Sequence, residues 1–468
     1  MLKNLASRRW FLRDCSMGLG SMALGGLLQG SLKADNDSNG LVPHYPSKAK
    51  RVIHLFMAGA PSQLELFDYK PELAKLEGKP LPASVIGNQR YAFIRPDAAV
   101  LGPRFTFQKH GKSGAEISSV LPNISKIADE LCLVKSMRTD QFNHAPAQIY
   151  FNTGFQQPGR PSIGSWTLYG LGSETKNIPG FVVLSTGSGI SGGAACWSSG
   201  FLPGAFAGVR LRNQGDPILN MYNPRGISPA VQKKTINLVN SLNLEAYRKD
   251  SDPEILTRIR QYEMAFEMQT SAPELLDLSS ETKETLELYG CDPLKPSFAR
   301  SCLMARRMVE RGVRFVSLYH EGWDAHSNVE GNCRNNAAAT DRGSAALVLD
   351  LKRRGLLEDT LVIWGGEFGR TPMVETNPAL GRSQGRDHHP QAFTIWMAGG
   401  GIKSGMTYGK TDEMGFHVVE NQVHVRDLHA TILHLLGFDH ERFSVTMQGL
   451  EFRLTGVEKA NVIKTILA

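Results

Sequence analysis

Twice in this chain a stretch of helically spaced apolar residues passes through a tight turn into an unbroken apolar, β-prone run. Phe298 to Gly312 leads into Arg314-Phe-Val-Ser-Leu-Tyr319, and Ala339 to Arg354 leads through Gly355 into Thr360-Leu-Val-Ile-Trp364. A strand without polar alternation has to be covered on both faces, which is the condition of a parallel sheet between layers of helices. Arg51-Val-Ile-His-Leu-Phe-Met57, ending at Ala58-Gly59-Ala60-Pro61, reads as another buried strand feeding a turn, and Phe393 to Met397 as a further one. Asp427 to Leu436 reads as a short amphipathic helix closed by Gly437. The expected fold is therefore α/β, a mostly parallel sheet sandwiched by helices. With 468 residues, 41% of them hydrophobic, the chain can bury a large core.

The first 34 residues have a different character. Arg8-Arg9-Trp-Phe-Leu-Arg13 precedes a mild apolar run, Met17 to Leu28, interrupted by glycines that disfavour a stable helix. A basic region, an apolar region and a small residue at Ala34 make a signal peptide, and the paired arginines before Phe-Leu resemble the twin-arginine export signal. Periplasmic or otherwise exported localisation follows, with the twin-arginine translocase as a partner. Residues 35–48 read as a linker and 49–468 as the folded α/β domain, within which 225–297, charged and helical, reads as an insertion or cap over the sheet. The formal charge of +7 comes largely from the leader, whose Lys3, Arg8, Arg9, Arg13 and Lys33 stand against Asp14, so no nucleic-acid partner is expected. No run reaches the roughly 18 apolar residues of a membrane span. Cys132, Cys196, Cys291, Cys302 and Cys333 are too sparse for a disulfide scaffold.

In an open parallel sheet, ligands lie beyond the carboxyl ends of the strands. Four polar clusters fall at such places: His320-Glu-Gly-Trp-Asp324-Ala-His326, Gly365-Gly-Glu367-Phe-Gly-Arg370, Arg386-Asp-His388-His389-Pro390, and Asn143-His144 with Gln148. Imidazoles and carboxylates converging from several loops suit a divalent ion. Asp324 and His326, two apart, share one side of an extended segment, and Glu367 between glycines after an apolar strand needs a partner or a ligand role. Gly189-Ile-Ser191-Gly-Gly193 contains Gly-x-Ser-x-Gly, but a nucleophile elbow must open a helix and the following residues are not helical.

Gly355-Leu-Leu-Glu-Asp-Thr-Leu-Val-Ile-Trp-Gly-Gly-Glu367-Phe368 is similar to the segment of the alkaline phosphatase and sulfatase superfamily that ends in an Asp-His metal-ligand pair. Asp427 to Gly437 is similar to the C-terminal helix of sulfatases. Within that superfamily the mature chain resembles an exported family of unassigned function, through His54-Leu-Phe-Met-Ala-Gly-Ala-Pro-Ser-Gln63, Gly159-Arg-Pro-Ser-Ile-Gly-Ser-Trp166, Trp323-Asp-Ala-His326, Gly366-Glu-Phe-Gly-Arg-Thr-Pro372 and Gly385-Arg-Asp-His-His-Pro390.

The resemblance implies an alkaline-phosphatase-like core and a metal-dependent hydrolase of a small or polymeric phosphate- or sulfate-ester substrate, with one or two divalent ions, zinc in expectation. Asp324, His326 and Glu367 fall at ligand positions, His388 or His389 falls at that of the last His ligand, and His144 falls where the superfamily carries its nucleophile, which makes it a catalytic base or ligand. Arg160, Arg370 and Lys403 are candidates for holding the anionic group. No acid stands near Ala58 to Ala60, where the superfamily's first-strand Asp would fall, and no hydroxyl or thiol stands at 144. The alternatives are a non-catalytic binding or scaffold protein on the same fold and, more distantly, a Ser191 hydrolase. Replacing Arg8 and Arg9 together by Lys is expected to leave unprocessed chain in the cytoplasm, read by fractionation; normal processing of that variant overturns the export expectation.

Overall fold

The computed structural model describes residues 40–87, 93–95, 97–175, 177–187, 189–212, 223 and 226–468; the expected signal peptide and the first part of the expected linker lie outside them. The strands of its main sheet and of the hairpin beside it are β1 (Arg51–Met57), β2 (Cys132–Arg138), β3 (Phe181–Thr186), β4 (Val209–Arg210), β5 (Phe315–His320), β6 (Thr360–Gly365), β7 (Gly369–Asn377), β8 (Arg382–His389), β9 (Phe393–Ala398), β10 (Met406–Tyr408) and β11 (Val423–His424). Nine of them form one sheet in the order β10-β2-β9-β6-β1-β5-β3-β4, with β11 also on β2. Every pairing is parallel except those of β9, which runs against both β2 and β6. The apolar runs at 51–57, 314–319, 360–364 and 393–397 are thus strands, the first three neighbours in the centre of the sheet.

The central strands carry apolar side chains on both faces, as their lack of alternation requires. Ile53, Leu55, Met57, Val362 and Trp364 meet one helical layer. That layer holds α5 (Phe298–Glu310) and α6 (Val329–Arg353), which bury Cys302, Leu303, Met308 and Leu347. Val52, Phe56, Leu361 and Ile363 meet the other layer. It is built from α1 (His144–Thr153), α2 (Ile163–Leu171) and α7 (Val425–Leu435). Capping sets the helix starts: Ser297 accepts from Arg300 N, and His424 and Asp427 form a capping box at α7. The charged stretch 225–297 contains α3 (Pro229–Asp250) and α4 (Pro253–Leu276). No helix of the described residues is long and apolar enough to cross a membrane. The five described cysteines are all free thiols.

Between β6 and β9 the chain forms the antiparallel hairpin β7–β8, where the sequence suggests only loops. A buried ion pair anchors it: Arg386, fully buried, holds Glu65 Oε1 through Nε at 2.8 Å and donates to the carbonyls of Thr371, Leu101 and Gly102. Glu65, on the single helical turn Gln63–Leu66, also accepts from Arg104 N, so neither charge lacks partners.

His54 lies mid-strand on β1, stacked on Phe151 with ring centroids 5.6 Å apart, and neither ring nitrogen has a hydrogen-bond partner. Burial pushes its pKa down to about 3. The folded state therefore keeps His54 neutral while the unfolded chain takes up a proton near pH 6.5, so its contribution is complete above that pH and is lost as the pH falls toward 3. His54→Leu is expected to stabilise the fold by about 2 kcal/mol more at pH 5 than at pH 8. Denaturant unfolding at the two pH values measures this, and an unchanged pH dependence contradicts the assignment.

Candidate metal centre

The carboxyl ends of β1, β2, β5 and β6 and the amino end of the reversed β9 share one rim of the sheet. Asp324 and His326 follow β5; Glu367 and Arg370 follow β6; His388 is the last residue but one of β8, just before β9; His144 opens α1 after β2. The close approach of two of these segments requires glycine. A Cβ at Gly59 would lie 2.5 Å from Asp324 N, and one at Gly385 would lie 2.0 Å from the His326 carbonyl oxygen.

The rim gathers His144, Asp324, His326 and His388, whose donor atoms lie within 4.8 Å of one another. Nε2 of His144 and of His326 each stand 3.1 Å from Asp324 Oδ1, and Nε2 of His388 stands 3.6 Å from it. Ligand atoms on a tetrahedral zinc ion stand roughly 3.3 Å apart. Nε2 of His144 and of His388 are buried and have no hydrogen-bond partner. Each imidazole is held by its other nitrogen: His144 Nδ1 lies 2.7 Å from Glu367 Oε1, His326 Nδ1 lies 2.5 Å from Glu375 Oε2, and His388 Nδ1 lies 2.8 Å from the Phe142 carbonyl oxygen. An Nδ1–H engaged in this way leaves the Nε2 lone pair directed at the centre, which is how metal-binding histidines are oriented. The donor set fits a divalent ion.

The charges agree with that fit. Burial opposes ionisation of Asp324, but the three imidazoles and Arg370 hold its carboxyl far below the usual carboxylate range. Burial likewise opposes ionisation of Glu367 and Glu375, and His144 and His326 respectively bring them down. Burial would lower the pKa of His144, yet Asp324 and Glu367 raise it to about 9; at His388 burial prevails and the pKa falls to about 4. Asp324, Glu367, Glu375 and Asp387 face Arg370 and Arg382, so the carboxyl groups outnumber the arginines at this rim.

The other expected site residues are placed as follows. Glu367 does not join the four-residue group; fully buried, it stands behind His144 and accepts from Gln148 Nε2 and Gly59 N. The His389 ring is turned away and engages the Phe416 carbonyl at 2.6 Å, because neighbours on a strand point to opposite sides. Arg370 is fully buried and binds Asp324 Oδ1 together with the carbonyls of Gly59, Ala60 and Arg386, so it braces the centre and has no donor facing solvent. Arg160 is caged by the rings of Phe155 and Phe452, 4.7 and 4.5 Å away. Lys403 lies past the carboxyl end of β9, which points to the opposite rim because β9 is reversed, and binds the Thr465 carbonyl. Ser191 lies in a loop that runs into the 3-10 turn Gly193–Trp197 and opens no α-helix. Gln148 belongs to the sequence cluster that holds His144, whereas Glu375 and the Phe142 carbonyl were not selected from the sequence. Glu375 carried one usable signal, a carboxylate after the apolar pair Met373-Val374.

Residues 49–467 match the family described as "Protein of unknown function (DUF1501)". The chain belongs to that family. No curated protein matches it. Among solved structures it is similar to a sulfatase from Pseudoalteromonas sp., at 13% identity over 84% of this chain and 68% of that one with a TM-score of 0.35. It is also similar to a protein in the alkaline phosphatase superfamily from Vibrio parahaemolyticus, at 11% identity over 90% and 74% of the chains with a TM-score of 0.36. The alkaline phosphatase from the Antarctic bacterium TAB5 gives 12% identity, 75% and 92% coverage and a TM-score of 0.30. Similarity at this level says nothing of chemistry.

Because Glu367 orients His144 without joining the group, Glu367→Gln is expected to retain metal with affinity lowered about 10–100-fold. His326→Ala is expected to lose it. Competition with a chromophoric chelator measures both, and unchanged affinity in Glu367→Gln contradicts the orienting role.

Proposed function

We propose that this protein is an exported, metal-dependent hydrolase of phosphate- or sulfate-ester-like substrates. The observation that carries the reading is the convergence of three imidazole nitrogens on Asp324, each imidazole oriented from behind by an oxygen acceptor. His144, Asp324, His326 and His388 would hold one divalent ion, zinc being the best match to an imidazole-rich set. Such an ion supplies Lewis acidity toward an ester oxygen and toward water.

The chain's own groups account for the rest. Glu367, Glu375 and the Phe142 carbonyl keep the imidazoles in one tautomer, and Arg370 fixes the Asp324 carboxylate from within the fold. A divalent charge would offset the excess of carboxylates at the rim and so lower the barrier to an anionic substrate. His144 at the first position of α1 puts the free N–H groups and the positive end of that helix beside the centre, and these attract the same anion. The Asp324 side chain, 43% exposed, marks the open side through which an ester would enter. His144 has one ring nitrogen on Glu367 and the other toward Asp324, and no hydroxyl or thiol stands in its place. The reading therefore assigns His144 to the ligand set and the attack to water directly, with no covalent enzyme intermediate.

A second reading, a binding or scaffold protein of the envelope, is favoured by one observation: Arg370 is taken up by Asp324 and backbone carbonyls, Arg160 and Lys403 are engaged elsewhere, and none of the three offers a free cation at the centre. Protein purified without chelator is expected to contain about one divalent ion per chain and to turn over aryl phosphates or aryl sulfates. Asp324→Asn and His388→Ala should lower kcat/KM about 10³-fold. Bound metal without turnover across both substrate panels favours the scaffold reading, and metal-free protein overturns the metal assignment and with it the hydrolase reading.

A further inference from the structure

A second polar site lies at the β10 edge of the sheet and shares no residue with the metal centre. Lys135, in the middle of β2, has a side chain only 10% exposed. Its ammonium stands 4.0 Å from Asp68 Oδ1 and 3.9 Å from Glu116 Oε2, too far from either for a hydrogen bond. Asp68 is engaged elsewhere, its Oδ1 lying 3.2 Å from Lys70 Nζ and its Oδ2 accepting from Thr411 Oγ1. The Lys135 amine therefore has carboxylates near it but no acceptor within hydrogen-bond distance among the described residues, an arrangement that is costly for a buried ammonium.

Lys135 opens on a cavity of about 570 Å³, also lined by Tyr69, Thr407, Tyr408 and Asn421. That volume lies within the usual range of small-molecule sites, and the lining offers rings and hydrogen-bonding groups together. Burial pushes the pKa of Lys135 down, opposed by Asp68 and Glu116 and assisted by the neighbouring Lys70. A desolvated amine beside a second cation is the environment in which lysines act as nucleophiles.

We propose that this cavity receives a small compound bearing an aldehyde or ketone, which condenses with Lys135 to an imine. Glu116, 3.9 Å away, takes one proton from the ammonium; the Nζ lone pair so freed forms a bond to the carbonyl carbon, the C=O π pair moves to oxygen, and a proton passes from nitrogen to that oxygen, giving a carbinolamine. Glu116 then returns its proton to the hydroxyl; water leaves, the C=N bond forms from the nitrogen lone pair, and the protonated imine carries the charge the ammonium held. No electrons are exchanged with another species. The step uses neither the metal centre nor the hydrolase reading.

The test uses the full mature protein with glycolaldehyde and cyanoborohydride at neutral pH, adducts being located by peptide mass spectrometry. Lys283, whose side chain is 85% exposed, serves as the internal reference. Lys135 is expected to be trapped about tenfold faster than Lys283, as a desolvated amine held beside a bound carbonyl compound should be. Denaturation should bring the two rates together, and Glu116→Gln should slow trapping at Lys135 alone. Trapping of Lys135 no faster than Lys283, a preference that survives denaturation, or an unaltered Lys135 rate in Glu116→Gln overturns the proposal.

Discussion

The centre depends on one carboxylate oxygen. Asp324 Oδ1 is approached by Arg370 Nη2 at 2.6 Å and by three imidazole nitrogens, so four cationic or cation-seeking groups are directed at a single atom. Such crowding is stable only if each group is held from behind, since a mobile imidazole would turn away to find another partner. Arg370 supplies the fixed reference, because its guanidinium spans the end of β1, the Arg386 carbonyl and Asp324 at once. Arg386 is in turn locked on Glu65. A continuous buried relay of charge thus runs from a helical turn near the start of the domain to the open rim.

This relay explains why two arginines of the described chain are fully buried beside the centre. Each guanidinium replaces water with backbone carbonyls and a carboxylate, and so satisfies the strand ends where the sheet stops pairing. It also accounts for the missing acid at the end of β1: Gly59 and Ala60 meet the centre through their backbone, Gly59 N donating to Glu367 and both carbonyls accepting from Arg370. Ala60 adopts φ 63, a left-handed conformation of the kind that concentrates at functional sites.

The central strands were legible because burial on both faces leaves an unbroken apolar run, which local pattern reports directly. β2 was not identified from pattern, since Lys135 and Ser136 interrupt its apolar residues with polar ones that only the edge cavity and the Asn421 carbonyl accommodate. The β7–β8 hairpin has no unbroken apolar run to report it, since Gly369, Pro372 and Gly385 interrupt the pattern; in the fold Gly385 is present for its close approach to His326. Of the site residues, Asp324, His326, His388 and His144 were recognisable from type and place. Their partners Glu375 and the Phe142 carbonyl were not, since a hydrogen bond to a residue tens of positions away leaves no local trace.

The order of the sequence alone determined an α/β chain with central strands buried on both faces and polar residues at the strand ends. Those features follow from apolar period and from turn chemistry, both of which act over a few residues. Tertiary structure decided which of the polar residues meet. It turned His389 and Lys403 away, put Glu367 behind His144, and made Arg370 a buried brace, because each outcome depends on strand direction and on which side of a strand a side chain leaves. Those quantities are fixed only when the hairpin β7–β8 and the reversed β9 are in register with the rest of the sheet.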